Sequence, residues 1–164
     1  MCVVTQVYLG LGANLGNANQ QIMQAIEALS THPDLKLNQV SRFYASRPMG
    51  PQDQPNYINA VVSIHTNLSP EALLAECQAI EQAHHRKRKR HWGERTLDID
   101  ILCYGDLILT QSNLTIPHIG IAERDFVLLP LADIAPEFVI PTLNQTVKQL
   151  CHQCPSYGAV PLSD

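Results

Sequence analysis

The sequence predicts an α+β fold: a ferredoxin-like β-α-β-β-α-β core whose antiparallel sheet is covered by helices in a three-layer arrangement. Three observations carry this reading. Four segments read as strands, three of them alternating apolar with polar or small residues at a period of two. Two segments between them place apolar residues at helical spacing. Their order is strand, helix, strand, strand, helix, strand, and the last third of the chain is left to cover the sheet's other face.

Val3 to Leu11 is the first strand, with Val7, Leu9 and Leu11 on one face. It ends in Gly10-Leu11-Gly12-Ala13-Asn14-Leu15-Gly16-Asn17, whose glycines let the backbone turn sharply or approach a ligand closely. The spacing matches neither G-x-G-x-x-G nor G-x-x-x-x-G-K-[ST], which argues against a dinucleotide fold and a P-loop. From Asn19 to Leu29, Ile22, Ile26 and Leu29 form a helical stripe, stopped by Thr31-His32-Pro33-Asp34. Leu35 to Tyr44 is the second strand, with an irregularity near Gln39. Residues 45–56 carry three prolines and a glycine and fit no regular element, which suits a lid or binding loop.

Tyr57 to Thr66 is the third strand, with Tyr57, Asn59 and Val61 on one face. Ser69-Pro70-Glu71 opens the second helix with a cap, a proline at the first helical position and an acid in the first turn. Leu73, Cys77 and Ile80 are its core stripe, while Gln78 and Glu81 share a polar edge with His85 one turn on. Thr96 to Tyr104 is the fourth strand. A Gly105-Asp106 turn follows, then short strands at 107–109 and 114–118, a short helix over 123–132 broken near Pro130, the run Phe138-Val139-Ile140, and a tail.

With 164 residues, 45% hydrophobic and 16% charged, the chain suits one domain, residues 1–164, with a core of its own. No apolar run is long enough for a membrane span, and no basic-then-apolar signal segment opens the sequence, so a cytoplasmic location is expected. Five cysteines without framework spacing suit a reducing compartment. Cys151-His152-Gln153-Cys154 has no second pair, and we read it as two reduced thiols near a surface tail.

Net charge is −4, but residues 86–95 hold six of the eleven Lys and Arg with one acid, a local +5 against −9 elsewhere. Such segregation points to a compact anionic ligand rather than an extended polyanion. Directly after it, Leu97, Ile99 and Ile101 alternate with Asp98 and Asp100, so two carboxylates project side by side about 6.5 to 7 Å apart. Like charges that close repel unless a cation or a shared proton relieves them. Mg²⁺ is the natural relief, since it uses one or two carboxylates and leaves room for substrate phosphates. A basic, glycine-containing loop running into an acidic strand supplies both halves of a phosphoryl-transfer site.

Other readings stay open on the residues alone. Asp98 and Asp100 by themselves suit a solvated strand face, and Tyr57 with Asn59 suits cross-strand packing. A metal-dependent phosphohydrolase would use the same acid pair to activate water. A small nucleic-acid-binding module would set Arg86–Arg90 on phosphates and stack a base on Trp92. Against that module stand the −9 elsewhere and the lack of further interleaved aromatics. Transfer is favoured over hydrolysis because an aromatic plate and an amide, which fits a heterocycle edge, face whatever the proline-rich loop covers.

Taken together, Gly12-Ala13-Asn14-Leu15-Gly16, the run Gly50-Pro51-Gln52-Asp53-Gln54-Pro55-Asn56-Tyr57-Ile58-Asn59, Arg86-Lys87-Arg88, the block from Arg90 through Trp92-Gly93 to Asp100, and Ile116-Pro117-His118 resemble the 6-hydroxymethyl-7,8-dihydropterin pyrophosphokinase family of the folate pathway. The resemblance covers roughly residues 3 to 141. It implies Mg²⁺- and ATP-dependent transfer of a pyrophosphoryl group to the pterin's hydroxymethyl oxygen, releasing AMP. The partners it implies are small molecules only, with no nucleic acid or membrane, and the protein would be a monomer. Asp98 and Asp100 would hold two Mg²⁺ ions, and Arg86 and Arg95 would be the catalytic contacts to the phosphates. Tyr57 and Phe126 would sandwich the pterin and Asn59 would bond its edge, with Ser46, Pro48, Met49 and Gly50 completing that site. Gln78, Glu81, Arg88, Trp92, Ile101, Thr115, His118 and Arg124 would surround ATP. The chain departs from the family at Glu94, where Pro is usual, and at His91, where Arg is usual. Asn113 and Ile119 replace an occasional basic residue and an occasional Tyr.

Overall fold

The computed structural model describes residues 4–14, 17–47, 56–83 and 97–162. Along the chain come β1 (Thr5–Ala13), α1 (Ala18–Thr31), β2 (Leu35–Val40), β3 (Tyr44–Ser46), β4 (Tyr57–Thr66), α2 (Pro70–Ala83) and β5 (Asp98–Tyr104). After them come β6 (Leu109–Thr110), β7 (Thr115–Ile116), a 3₁₀ turn (Ile121–Glu123), α3 (Asp125–Ile134), β8 (Val139–Ile140), β9 (Gln145–Thr146), α4 (Val147–Gln153) and β10 (Val160–Pro161). The main sheet runs β10-β3-β4-β1-β5, with β2 also paired to β4, and every pairing is antiparallel.

The sheet is covered on both faces, so the core divides in two. Ile22, Ala25 and Leu29 of α1 and Leu73, Cys77 and Ile80 of α2 pack with Val7, Leu9, Leu11, Val62, Ile64, Ile99 and Ile101. On the opposite face Tyr8, Val61 and Leu102 meet Leu128 and Leu131 of α3 and Val147 and Leu150 of α4. A strand covered from both sides cannot keep a polar face, and β4 is accordingly buried from Asn59 through Ile64. Among the described residues no helix is long and apolar enough to cross a membrane.

Several expectations are corrected. The second strand does not run unbroken to Tyr44. Its register shifts between Leu37 and Gln39, where Ser63 Oγ accepts the Gln39 N–H at 3.1 Å, and Ser41 Oγ then accepts the Val61 N–H at 2.9 Å. Two hydroxyls replace ladder partners, and β2 and β3 separate. The glycine stretch does not end β1, which continues through Gly10 and Gly12 to Ala13. The helix over 123–132 is not broken at Pro130. α3 continues to Ile134, at the cost of one helical hydrogen bond to the Phe126 carbonyl. The expected tail contains α4, opened by a capping box in which Thr146 and Gln149 bond each other's backbone N–H.

The thiols of Cys77, Cys103, Cys151 and Cys154 are unpaired with one another. Burial pushes Cys77 and Cys103 up to about 12 and Cys154 up to about 11, so these are poor nucleophiles at neutral pH. Cys151 sits on α4 against the second core rather than in a loose tail.

Candidate active site

The site is built on the sheet face that α3 and α4 cover. Strand pairing sets Asn59, Gly12 and Asp98 in one row across β4, β1 and β5, and Val61, Gly10 and Asp100 in the next. Residues directly opposite across antiparallel strands share a face, so two glycines lie between the amide side and the acid side. A Cβ on Gly12 would stand 3.0 Å from Asn59 Oδ1, and one on Gly10 would stand 3.3 Å from Leu102 Cδ2. The missing side chains open a trough. Gly10, Gly12, Tyr57, Asn59, Val61, Asp98, Asp100, Leu102, Arg124, Phe126 and Val127 are among the residues that line one cleft over it.

Asn59 is 7% exposed, and its Nδ2 donates to Ser46 Oγ at 2.8 Å, a bond across the β3–β4 pair that fixes the amide's orientation. Tyr57 stands half-buried at the start of β4, and Phe126 half-buried in the first turn of α3. Both line the same cleft. The other end of α3 is stapled to β3. Asp133 accepts from the Arg42 side chain at 3.0 and 3.1 Å and from the Tyr44 hydroxyl at 2.9 Å. Burial, then the Asp133 carboxylate, pushes the Tyr44 hydroxyl up to about 12.

Asp100 also borders a second cleft, with Leu74, Ile99, Ile101, Asn113, Thr115, His118 and Ile119. The first cleft is predominantly apolar and ring-lined; the second runs beside it, and Asp100 is where they meet. His118 Nδ1 accepts the Gly120 N–H at 3.1 Å, which leaves Nε2 facing Asp100 Oδ2 at 3.7 Å. Despite that neighbour, burial and then the Arg124 charge hold His118 below the usual histidine range, against the opposing pull of Asp98. His118 is therefore a neutral imidazole at pH 7.

The predicted metal ligands fit a hard cation. Asp98 and Asp100 are half-buried on one face of β5, line one cleft and offer only oxygen donors. Among the described residues no group of three or more His, Cys, Asp or Glu forms a cage. Two carboxylates with the remaining positions open to phosphate and water are the arrangement Mg²⁺ accepts.

Of the predicted pterin contacts, Ser46, Tyr57, Asn59 and Phe126 are brought together, while Pro48, Met49 and Gly50 lie outside the described residues. Of the predicted ATP contacts, Ile101, Thr115 and His118 share the second cleft, whereas Arg124 lines the first. The polar edge predicted for Gln78 and Glu81 does not exist. Gln78 is exposed, but Glu81 is 4% exposed and accepts the Ile99 N–H at 2.7 Å. Leu74 is the α2 residue that reaches the cleft. Arg86, Arg88, Trp92 and Arg95 also lie outside the described residues. Gly10 and Gly12 were legible only as a glycine-rich stretch; their place opposite Asp100 and Asp98 needs the strand register.

A family described as 7,8-dihydro-6-hydroxymethylpterin-pyrophosphokinase matches residues 8–136. The chain is 45% identical over 156 residues to the 2-amino-4-hydroxy-6-hydroxymethyldihydropteridine pyrophosphokinase of Haemophilus influenzae, covering 95% of this chain and 97% of that protein. Its likeness to the Pseudomonas aeruginosa protein of the same name is 42% over 156 residues, or 95% and 96% of the two chains. Among solved structures, a wild-type Plasmodium falciparum HPPK-DHPS crystallised with pteroate matches with a TM-score of 0.76 at 16% identity, a likeness of fold. The match covers 93% of this chain and 43% of that longer one.

Proposed function

The chain belongs to the 7,8-dihydro-6-hydroxymethylpterin-pyrophosphokinase family, and from that membership we infer that it transfers pyrophosphate from ATP to the hydroxymethyl group of 6-hydroxymethyl-7,8-dihydropterin. The products are AMP and the pterin diphosphate, and the pathway served is folate biosynthesis. The enzyme is an ATP-dependent diphosphokinase with small-molecule substrates. The observation that best supports this reading at the level of residues is the pair of clefts joined at Asp100, one bearing rings and an oriented amide, the other beside it.

In the reaction the acceptor's alcohol gives up its proton to solvent and its oxygen bonds to the β-phosphorus of ATP, while the bond from that phosphorus to the α-phosphate's bridging oxygen breaks and AMP leaves with that oxygen. Nothing in this requires a covalent link to protein, so positioning and electrostatics carry the rate. Tyr57 and Phe126 hold the pterin ring between them, and Asn59, braced by Ser46, bonds its edge. We assign Pro48, Met49 and Gly50 to that site on their sequence positions alone. Asp98 and Asp100 would hold Mg²⁺, two ions in our reading, which when bound neutralises the polyphosphate and polarises the transferring group. Ile101, Thr115 and the neutral His118 wall the nucleotide's cleft. We assign Arg86, Arg88 and Arg95 to the phosphates and Trp92 to the nucleotide's surroundings on their sequence positions alone.

We further read the β5-β1-β4-β2 order, with α1 and α2 on one face, as the split βαβ arrangement, in one domain over residues 1–164. A cytoplasmic monomer is the form we propose. The test of the reaction is product analysis. With ATP and Mg²⁺, AMP should appear only when 6-hydroxymethyl-7,8-dihydropterin is supplied; phosphate release without the acceptor would instead establish a hydrolase.

A further inference from the structure

Segment 155–161 is fastened to both elements that flank the ring-lined cleft. Asp125, the residue before Phe126 and 7% exposed, accepts the N–H groups of Tyr157 at 2.9 Å and Ala159 at 3.2 Å on the same oxygen, Oδ2. Gly158 between them has φ +76°, a left-handed conformation that turns both amides toward one acceptor and suits glycine. The Tyr157 carbonyl accepts the Arg47 backbone N–H and its Nε–H, each at 3.2 Å. Val160 and Pro161 then pair with Ala45 and Tyr44 of β3, the strand that carries Ser46. These main-chain bonds hold residue 157 beside the start of α3. The Tyr157 and Phe126 rings stand nearly perpendicular, with centroids 6.0 Å apart and planes at 75°.

We propose that Tyr157 is a positioning residue of the acceptor site: its ring, packed nearly perpendicular to that of Phe126, sets the angle at which Phe126 presents its face to the pterin. This rests on the reading of Tyr57 and Phe126 as the pterin's two plates. Phe126 is half-buried on the first helical turn and lines the cleft. Tyr157 packs against it from a segment that itself lines neither cleft. The role belongs to the ring, because the ring makes the contact.

The test uses the full chain with Tyr157→Ala, Tyr157→Phe and Phe126→Ala, measuring KM for the pterin and for ATP separately, pterin affinity with a non-hydrolysable ATP analogue and Mg²⁺ present, and melting temperature. Tyr157→Ala should raise the pterin KM and Kd about threefold to tenfold and leave the ATP KM unchanged. Tyr157→Phe should restore both pterin values to within about twofold of the parent protein. In a Phe126→Ala background Tyr157→Ala should add nothing, since the ring it positions is gone. Unchanged pterin values in Tyr157→Ala, while Phe126→Ala weakens pterin, would overturn the proposal and spare the site. A Tyr157→Ala effect that falls equally on ATP, pterin and melting temperature would also overturn it, as general structural damage. If Phe126→Ala itself leaves pterin affinity unchanged, the reading of the acceptor site fails instead.

Discussion

The carboxylate of Glu81 on α2 accepts the backbone N–H of Ile99 on β5 at 2.7 Å, at the residue that separates Asp98 from Asp100. Among the described residues β5 is an edge of the main sheet, and a buried side chain here does what a neighbouring strand would otherwise do. Replacing Glu81 by Ala strands a buried donor and should cost about 1–3 kcal/mol in urea denaturation, whereas Glu81→Gln keeps an acceptor and should lose less. Because the bond fixes the main chain between the two acids, kcat should also fall in the Ala variant beyond the fraction unfolded. Equal stability of the Ala and Gln variants would show that the bond contributes little.

Asp98→Asn and Asp100→Asn should each lower kcat/KM by on the order of a hundredfold or more, as expected when a metal ligand is lost. Melting temperature should hold or rise, because neutralising one of two facing acids relieves their repulsion. Calorimetric titration of Mg²⁺ into protein and a non-hydrolysable ATP analogue reads the metal directly. A variant that binds Mg²⁺ as the parent does would remove that carboxylate from the ligand set.

Gly12→Ala tests the trough. Its Cβ would meet Asn59 Oδ1 at 3.0 Å, so the amide must shift or break its bond to Ser46. The pterin KM should rise about tenfold with the ATP KM unchanged, in line with 1–2 kcal/mol for a displaced hydrogen bond of about that strength. A selective rise in ATP KM would place the amide at the nucleotide instead.

Tyr44 gives a pH dependence whose sign is fixed. Burial, then Asp133, pushes its hydroxyl up to about 12 in the folded chain, above its ordinary value of about 10. The folded state therefore holds the proton longer than the unfolded one. The contribution is complete below pH 10 and is lost as pH rises from there through about 12. Tyr44→Phe should be less stable at pH 8, and its thermal stability should fall less steeply above pH 10 than that of the parent chain. Parallel stability curves would show that Tyr44 is not the group responsible.

Much of this was legible in the sequence. Tyr57–Thr66 has the predicted bounds because a proline-rich approach and a helix cap at Ser69 bracket a run rich in apolar and β-branched residues. The side-by-side placing of the two acids was readable from period two alone, and Tyr57, Asn59 and Phe126 line one cleft, with Ser46 bonded to Asn59. Glu81 was misplaced although Leu73, Cys77 and Glu81 fall at i, i+4 and i+8 on one stripe; a carboxylate at a core position is invisible to a pattern built on apolar residues. α4 was missed because seven residues carry too short a period, although Thr146-x-x-Gln149 signalled its start. β10, two residues long, has no local signal, since its pairing with β3 joins positions more than a hundred apart in the chain.

A floor made where Gly10 and Gly12 pass under the cleft consists of peptide planes, and peptide planes are the one part of a protein that a codon change leaves in place. Substitution there can add atoms but never delete the surface that the ring's edge would meet. Variants escaping a tight-binding ring compound, whether by an added side chain at this floor or by change at Tyr57, Asn59 or Phe126, should therefore also harm the natural acceptor, so that tolerance to the compound and loss of turnover would be inherited together.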